Sequence, residues 1–373
     1  MKIGLVCPYN ITKGGGVQEI VKALQSGLAA RGHDVVIITP RPRDVTKKIK
    51  NTILLGNGTD FRSPMHTTSQ VSVSVDGKEI EEMLEREKFD VLHFHEPWIP
   101  VLSRQILSRS TSVNVATFHA KLPETMMSRS FAKVVTPYTK SVLKYIDSFT
   151  AVSEAALEYL RTMSDTPVSI VPNGIDLQHY HVPRNKTTKK EKTILYIGRL
   201  EKRKGVAYLL KAFACFANDN PHIKLVIAGD GVDRQKLELL ADELKIKNVK
   251  FLGYITEQKK KQLLRDSDLF CSPAVYGESF GIVLLEAMAS GLITVAGNNP
   301  GYASVLDGLG SLSLVNPKDT TEFAKRMELL INEPQLQKLW LNWAKETVPQ
   351  YDYKIVVEQY ESVYLSAYES RKQ

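Results

Sequence analysis

Short apolar runs that are rich in β-branched residues alternate with amphipathic segments along most of this chain, and this alternation limits the possible folds more than any other feature. One amphipathic segment, Val17–Arg31, has helical spacing and stops at Gly32, a residue type that commonly ends helices. The runs of the first half are predicted to form buried strands at Lys2–Cys7, Asp34–Thr39, Asp90–His95, Val113–Phe118 and Ser148–Val152. Such an alternation is typical of βαβ units, which form parallel sheets covered by helices.

The alternation breaks once and then starts again. The segment from Pro183 to Lys192 is polar and basic and lacks periodicity, as linkers do. Two helical segments, Gln335–Thr347 and approximately Ile355–Ser370, end the chain. Before them, five further runs predict strands at Thr193–Tyr196, Lys224–Ala228, Val249–Leu252, Leu269–Cys271 and Leu292–Ala296. Because 373 residues are about twice the usual length of one domain, we predict an α/β fold of two Rossmann-like lobes facing across a cleft.

The composition excludes several classes of protein. Cys7, Cys215 and Cys271 are far apart and form no CxxC pair, which predicts a reducing compartment and neither a disulfide framework nor a zinc site. Proline follows the first apolar run directly, so no signal peptide is expected, and no stretch approaches the roughly 20 apolar residues of a membrane span. The net charge of +8 favours anionic ligands, whether nucleotides, phospholipid headgroups or nucleic acid. No recognised motif supports nucleic acid. We therefore expect a cytoplasmic protein.

A glycine-rich loop, Lys13 to Val17, follows the first strand and opens the first helix. Its three glycines allow backbone N–H groups to approach an anion at the helix N-terminus. A dinucleotide site is disfavoured because the spacing is not GxGxxG and because the second strand ends in Thr39-Pro40-Arg41 rather than in an acid that would bind a ribose. Two interpretations of this loop remain: it binds a phosphate or a sugar, or it is a tight turn without a ligand.

A basic loop, Gly198 to Gly205, follows the first strand of the second half. Arg199 offers a planar fork and Lys204 a point charge, a pairing suited to a diphosphate. Ligands bind at strand ends in doubly wound lobes. The alternative is a solvated basic turn.

The segment Gly277 to Ala287 is the most specific of the chain. We expect Ser279 to cap a helix that starts near Phe280, which would leave the N–H groups of Phe280, Gly281 and Ile282 free for a phosphate. Glu278 before the cap is placed to reach sugar hydroxyls, and Glu286 within the helix is placed to bind a ribose. Two surface glutamates are the alternative, which the apolar run between them disfavours.

These motifs carry a family resemblance. Glu278 and Glu286 have the spacing of the E-x7-E signature, and with the Gly198–Gly205 loop, Val171–Asp176 and Ala228–Gly231 the whole chain resembles the retaining glycosyltransferases of family 4, which have the GT-B fold. Within that family it is most similar to phosphatidylinositol mannosyltransferases, on the segments Cys7–Tyr9, Gly14–Gln18, His95–Pro97, Ala116–His119 and Tyr351–Tyr353. The resemblance implies that residues 350–373 pack back on an acceptor-binding lobe of residues 1–169, with residues 170–349 forming the nucleotide-sugar lobe.

The resemblance also assigns roles, without a metal or another cofactor. It makes Tyr9 and Gln18 acceptor-binding residues. Catalytic roles fall to His119, Glu278, Arg199 and Lys204. Donor binding falls to Gly15, Gly16, Arg199, Lys204, Ile255, Glu257, Glu278, Ser279, Phe280, Gly281, Ile282 and Glu286. Ala120 departs from the pattern, because the mannosyltransferases have a threonine there.

The expected function is a retaining transfer of mannose from GDP-mannose to phosphatidylinositol or a similar lipid at the cytoplasmic membrane face. The expected preference for guanine over uracil rests on Glu257, because a carboxylate can accept hydrogen bonds from both adjacent N–H groups of guanine. The alternative is that Glu257 only starts a helix. One alternative is a UDP-sugar-dependent glycosyltransferase that acts on diacylglycerol, a polyprenyl-linked sugar or soluble inositol phosphate. Two further alternatives are a sugar-nucleotide 2-epimerase and a non-catalytic nucleotide-binding module.

Three further patterns have weaker interpretations. Asp266 and Asp268 form a DxD, a metal motif of another glycosyltransferase fold, and His93 with His95 share one face of a strand without a third ligand at a telling spacing. Four basic residues lie within about 60° of one helical face, which fits a helix on an anionic membrane as well as an ordinary solvated helix that Pro137 would break. They are Arg129, Lys133, Lys140 and Lys144.

Overall fold

The computed structural model describes residues 1–42, 49–62, 68–72, 75–99, 101–120, 126–180, 191–217 and 220–372. The chain divides into two compact units. Unit 1 comprises Met1–Gly174 and Tyr353–Gln373, and unit 2 comprises Ile175–Asp352. Residues 183–190 of the predicted linker lie outside the described residues, and Lys192 begins a strand.

The strands, in chain order, are β1 Lys2–Val6, β2 Asp34–Arg41, β3 Thr52–Arg62, β4 Thr68–Ser72, β5 Val91–His95, β6 Val113–Phe118, β7 Ser148–Ala151, β8 Val168–Ile170, β9 Lys192–Ile197, β10 Ile223–Ala228, β11 Val249–Gly253, β12 Leu269–Ser272, β13 Ile293–Gly297 and β14 Leu314–Val315.

The helices are α1 Gly16–Ala30, α2 Gly77–Glu87, α3 Leu102–Leu107, α4 Met126–Leu143, α5 Glu154–Arg161, α6 Leu177–Tyr180, α7 Val206–Ala217, α8 Arg234–Glu243, α9 Glu257–Asp266, α10 Ile282–Ala289, α11 Pro300–Ala303, α12 Thr320–Asn332, α13 Pro334–Thr347 and α14 Tyr353–Lys372. Short 3₁₀ turns lie at Lys202–Lys204, Gly308–Ser313 and Val348–Tyr351. None of the described helices is both long enough and apolar enough to cross a membrane.

Each unit is built on its own sheet. In unit 1 the order is β4-β3-β2-β1-β5-β6-β7-β8, parallel except for the antiparallel pair β3 and β4. In unit 2 the order is β11-β10-β9-β12-β13-β14, with parallel pairing throughout the described strands. The central strands are buried along their whole length and are mostly apolar, because helices cover both faces of a parallel sheet. The predicted α/β class and the doubly wound sheets are therefore confirmed.

The last helix belongs to unit 1, as the resemblance implied. Helix α14 packs on α1, where the α-carbon of Gly27 comes so close that an added β-carbon would lie 2.5 Å from Val357. At the rim of this contact Arg31 pairs with Glu358 at 3.0 Å and with Glu361 at 2.6 Å. The small residue in α1 thus allows a close helix pair, and its apolar seam continues the core of the sheet.

The predicted strands agree with the structure to within two residues at each end, whereas β3, β4, β8 and β14 were missed. The strand β3 contains the polar stretch Gly56 to Asp60, which resembles a turn in sequence. β8 and β14 have only three and two residues, too few for a periodic pattern. Helix α1 starts at Gly16 and ends at Ala30, with Gly32 in the left-handed region at φ 88°.

Candidate active site

Two loops of unit 2 carry most of the predicted donor residues. The loop 198–205 leaves β9 and the loop 273–281 leaves β12, and these two parallel strands are neighbours, so both loops lie at the same edge of the sheet. The N–H of Val275 donates to the carbonyl of Arg203 at 2.9 Å and joins them. Gly205, at φ 71°, has no room for a side chain, because a β-carbon would lie 2.0 Å from the carbonyl oxygen of Pro273.

Glu278 is held between two cations. Its Oε1 lies 2.7 Å from Lys204 Nζ and 2.6 Å from Arg203 Nη1, and all three side chains are at least four-fifths buried. Burial acts to raise the pKa of Glu278, but Lys204 and Arg203 together hold it below its usual value. Burial lowers the pKa of Lys204 despite the attraction of Glu278. The three groups form a charged cluster in which Glu278 is the shared ion-pair partner of two cations.

The structure adds a second arginine, Arg203, to the two predicted cations Arg199 and Lys204. Arg199 is close to half exposed, and its Nη1 pairs with Glu201 Oε1 at 3.0 Å rather than with Glu278. The residue that joins the two loops is Arg203, which contacts Glu201 at 3.1 Å and Glu278. Its attraction to both carboxylates outweighs burial and raises its pKa. Sequence reasoning missed this role, although Arg203 stands within the basic loop.

The helix after Glu278 begins later than its sequence predicts. Gly281, not Ser279, is the N-cap residue of α10, and the first helical residue is Ile282 rather than Phe280. Gly281 has φ 134°, a conformation that a side chain would disfavour. The N–H groups of Leu284 and Leu285 bond to the carbonyl of Gly281, so the N–H groups at the start of the helix point out of its N-terminus. An anion can bind there, beside Glu278 and its cations.

The second acid of the signature also has partners. Glu286 Oε1 accepts hydrogen bonds from Tyr180 at 2.8 Å and from Lys260 at 2.7 Å. Lys260 further contacts Glu257 Oε2 at 2.8 Å, and its pKa is raised because Glu286 and Glu257 outweigh burial. Glu257 is the first residue of α9 and its side chain is three-quarters exposed. Ile255 precedes it in the same strand-end loop and is half-buried. Lys260 and Tyr180 were not anticipated.

In unit 1 the predicted acceptor residues Tyr9 and Gln18 and the predicted donor residues Gly15 and Gly16 follow β1 in the chain. Gly15 is the N-cap residue of α1, Gly16 is exposed as its first residue, and Gln18 is buried one turn on. A β-carbon at Gly15 would come within 2.4 Å of Gln18 Oε1, so this glycine lets the glutamine fold back over the loop. Tyr9 lies on the preceding loop, where its carbonyl accepts from Thr39 at 2.7 Å.

His119 follows β6, and Glu96 follows the neighbouring strand β5. The backbone N–H of His119 donates to Glu96 Oε1 at 2.9 Å, and the indole of Trp98 donates to the other carboxylate oxygen. Burial raises the pKa of Glu96 to about 7. Glu96 adopts a left-handed backbone at φ 52°, unusual for a residue with a side chain. Glu96 stands within the segment His95–Pro97 that carries the resemblance, but its contact with the His119 loop was not predicted.

His93 and His95 have hydrogen-bonding partners rather than a metal geometry. His93 contacts Thr117 and Tyr364, and His95 contacts His119. Of the DxD pair, Asp266 contacts Arg265 at 2.9 Å, and Asp268 accepts from the N–H of Thr193 at 2.8 Å. Within the described part of the chain, no three His, Cys, Asp or Glu side chains group closely enough to hold a metal ion.

The basic residues proposed for membrane contact lie on and just after α4. The helix runs through Pro137 without interruption and ends at Leu143, so Lys144 stands in the turn beyond it. Lys133, Lys140 and Lys144 are exposed, and Val142 on the opposite face is fully buried. Arg129 lies on the same helix.

Comparison with known proteins bears on both units. Residues 14–179 match the model of Glycosyltransferase Family 4, and residues 181–347 match that of Glycosyl transferases group 1. The chain is 31% identical to the phosphatidyl-myo-inositol mannosyltransferase of Mycolicibacterium smegmatis, over 98% of this chain and 93% of that protein.

Solved structures agree with the fold. Sucrose-phosphate synthase from Thermosynechococcus elongatus superposes with a TM-score of 0.77 at 20% identity, over 99% of both chains. The Anabaena protein HepE, solved with UDP and glucose, gives a TM-score of 0.75 at 16% identity, over 98% of this chain and 99% of that one.

Proposed function

This chain belongs to the family 4 glycosyltransferases, and from that premise we propose that it transfers mannose from GDP-mannose to phosphatidylinositol or a similar lipid, with retention at the anomeric carbon. The enzyme class follows from the family. The sugar, the base, the acceptor and a place on the cytoplasmic membrane face are our proposal, supported by the mannosyltransferase relatives and by the site.

The observation that carries the proposal is the charged cluster of Glu278, Arg203 and Lys204 at the N-terminus of α10. Two cations bound to a single carboxylate oxygen leave positive charge available to a ligand. A diphosphate would take up that charge while its oxygens face the helix N-terminus. Glu278 is then positioned to accept hydrogen bonds from sugar hydroxyls, and Glu286 those of a ribose.

The proposed reaction needs little beyond positioning. The bond between the anomeric carbon and the diphosphate oxygen breaks, and the acceptor hydroxyl oxygen bonds to that carbon on the same face. The acceptor proton passes to the departing phosphate oxygen. Arg199, Arg203, Lys204 and the N–H groups of α10 stabilise the charge that develops on the leaving group. These fixed cations can serve the role that a metal ion serves in other transferases.

We propose a lipid acceptor because the relatives are named as phosphatidyl-myo-inositol mannosyltransferases, and we assign its binding to unit 1. There Tyr9 lies on the loop after β1 and Gln18 on the first turn of α1, and the exposed lysines of α4 match an anionic surface. His119, in the same unit, is proposed to bond to the transferred sugar.

Incubating the purified enzyme with radiolabelled GDP-mannose and phosphatidylinositol vesicles tests the proposal. We expect a labelled glycolipid, formed equally well in EDTA. A parallel reaction with UDP-glucose, and with vesicles that contain diacylglycerol instead, covers the alternative donor and acceptor. Label that appears only with the UDP-sugar would overturn the donor, and dependence on Mg²⁺ after chelation would overturn the metal-independent mechanism.

A further inference from the structure

Hydrogen bonds to hydroxyl groups join the first histidine of β5 to the C-terminal helix. His93 Nδ1 lies 2.6 Å from the hydroxyl oxygen of Tyr364, and His93 Nε2 lies 2.6 Å from Thr117 Oγ1. Thr117 Oγ1 in turn contacts Thr150 Oγ1 at 2.5 Å and the hydroxyl of Tyr360 at 3.3 Å. Both ring nitrogens of His93 therefore have hydroxyl partners, which anchor the ring.

His95 stands between this anchored ring and His119. Its ring centroid is 4.1 Å from that of His93 and 5.1 Å from that of His119, and the planes of His95 and His119 differ by 24°. His95 Nδ1 lies 2.9 Å from His119 Nε2. Burial lowers the pKa of His119 to about 4 and that of His95 well below its ordinary value, so both rings are neutral near pH 7. A single proton is shared between the two facing nitrogens.

The other nitrogen of His95 decides which ring donates. His95 is fully buried, and its Nε2 has no hydrogen-bond partner among the residues that the structure describes. If His119 donated, His95 would have to carry its own proton on Nε2, as an orphaned buried N–H. If His95 donates, Nε2 is a bare acceptor, and unpaired buried acceptors are tolerated more readily than unpaired donors. The donor is thus Nδ1 of His95.

We propose that His95 is a positioning residue, which holds His119 in the neutral tautomer with its proton on Nδ1, and that the Tyr364–His93 pair holds His95 in place. The part that this tautomer plays in catalysis rests on the function proposed above. In that role, His119 presents an N–H donor to the transferred sugar, whose hydroxyl oxygen accepts the bond.

The surroundings of His119 fit this tautomer. Burial lowers the pKa of His119, and the neighbouring carboxamide of Asn173 acts in the opposite direction. Asn173 is buried, and its Oδ1 lacks a hydrogen bond of standard geometry within the described part of the chain. A protonated Nδ1 of His119 can donate to Asn173 Oδ1. The oxygen of a sugar hydroxyl can take the place of Oδ1 when the nucleotide-sugar binds.

The tautomer is measured directly on the full-length enzyme by long-range proton–nitrogen NMR correlations of the histidine rings, with isotope-labelled histidine. The signals of His119 are assigned by their loss in His119→Gln. We expect Nδ1 of His119 to be protonated and Nε2 to be bare. The opposite pattern overturns the proposal. This spectrum needs no substrate, so it separates a failure of the proposal from a failure of the proposed transfer reaction.

A matched pair of variants tests the positioning role. Asparagine attaches its amide nitrogen to Cγ, as histidine attaches Nδ1, so His95→Asn keeps a donor near the same place, whereas His95→Phe keeps a ring without one. We expect His95→Phe to lower kcat by about 10- to 100-fold, with little change in KM for the donor, and to mix the tautomers of His119. His95→Asn should restore most of the activity. Equal losses in both variants, with an unchanged His119 spectrum, would reduce His95 to a packing residue.

Discussion

The two units bury different kinds of polar cluster at the ends of their sheets. In unit 2, Glu278, Arg203 and Lys204 carry full charges, with two cations paired to one carboxylate. In unit 1, His93, His95 and His119 are neutral rings whose pKa values burial has lowered; His93 bonds to two hydroxyl groups, and His95 bonds to His119. Both clusters are buried, and each follows the carboxyl ends of parallel strands.

The difference shows how a buried site can be prepared for two tasks. A cluster with more cations than anions can exchange partners when an anionic ligand arrives, because the ligand replaces charge that the protein already holds. A neutral cluster offers no such attraction, but each of its bonds has a direction, so it can fix where a single proton lies. We therefore expect the charged cluster to govern donor binding and the neutral one to govern orientation.

The largest effect is expected from the charged cluster. Glu278→Ala leaves Arg203 and Lys204 buried without their anion, and Lys204→Ala removes the point charge proposed for the diphosphate. Each substitution should lower transfer by at least about 100-fold, a loss of roughly 2.7 kcal/mol in transition-state stabilisation. Initial rates with labelled donor measure it.

The matched control is Lys202→Ala, which removes an exposed charge two residues away in the same turn. It should leave the rates unchanged. A Glu278→Ala or Lys204→Ala enzyme that is folded by circular dichroism and retains more than about a tenth of its activity would contradict the role of the cluster.

The next prediction compares the basic surfaces of the two units. Reversing Arg129, Lys133, Lys140 and Lys144 to glutamate should weaken binding to anionic vesicles by at least about tenfold, because each basic residue near such a surface contributes about 1 kcal/mol. Vesicle co-sedimentation at low salt measures it, and GDP binding should not change.

Three exposed lysines of unit 2, Lys247, Lys250 and Lys259, form the control. Their reversal to glutamate should leave vesicle binding intact. If both sets weakened binding equally, net charge rather than the surface of α4 would attract the enzyme to the membrane.

Removing the Tyr364 hydroxyl, which anchors His93 in the neutral cluster, should lower the free energy of unfolding more than it lowers the transfer rate. Tyr364→Phe removes the hydroxyl partner of His93 Nδ1 and leaves that buried nitrogen unpaired, which costs about 1–3 kcal/mol of unfolding free energy. Urea denaturation followed by fluorescence measures the change. Tyr368→Phe, one turn along α14 and only half-buried, is the control and should be nearly neutral. Similar losses in both variants would argue against the Tyr364 bond.

A smaller effect is expected at Glu257, the exposed carboxylate that shares Lys260 with Glu286. If it accepts the two N–H groups of guanine, Glu257→Gln should weaken GDP binding by about tenfold, or roughly 1.4 kcal/mol, and leave the weaker UDP binding unchanged. Calorimetry with both nucleotides decides this. An unchanged GDP affinity would make Glu257 only the first residue of α9, and tighter binding of UDP by the wild type would contradict the guanine preference.

The last prediction concerns pH dependence, because the two clusters should lose their contributions to stability in different pH ranges. The pKa of His119 is about 4 in the folded chain against 6.5 ordinarily, so its contribution to stability is complete above 6.5 and is lost as the pH falls toward 4. The pKa of Glu278 is lowered from 4.5, so its contribution is lost only below 4.5. Denaturation curves measured from pH 7.5 to 3.5 give the free energy of unfolding as a function of pH. This free energy should depend less steeply on pH than in the wild type, between pH 6.5 and 4 for His119→Gln and only below pH 4.5 for Glu278→Gln. Each group accounts for at most about 1.4 kcal/mol per pH unit. Coincident windows would contradict this separation.

Much of the fold was readable from the sequence, since a parallel strand buried on both faces must be apolar along its length. That signature located β1, β5, β6, β9 and β12. The spacing of Glu278 and Glu286 likewise indicated one strand-end loop followed by a helix. By contrast, β3 pairs through a polar stretch that has no such signature, so only the sheet revealed it.

The partners within the site were decided by the tertiary structure. Arg203 and Glu278 are 75 positions apart, and Tyr364 and His93 are 271 apart, so nothing local distinguishes Arg203 from Arg199 as the buried cation or marks His93 as a link to the last helix. At Gly281, where α10 is capped, an added β-carbon would lie 3.0 Å from the ring of Tyr302, a contact that cap preferences alone do not reveal. Residue types and their order determine which strands and helices form. Which side chains share a proton or a charge depends on distances of a few ångströms, and only the packed chain sets those.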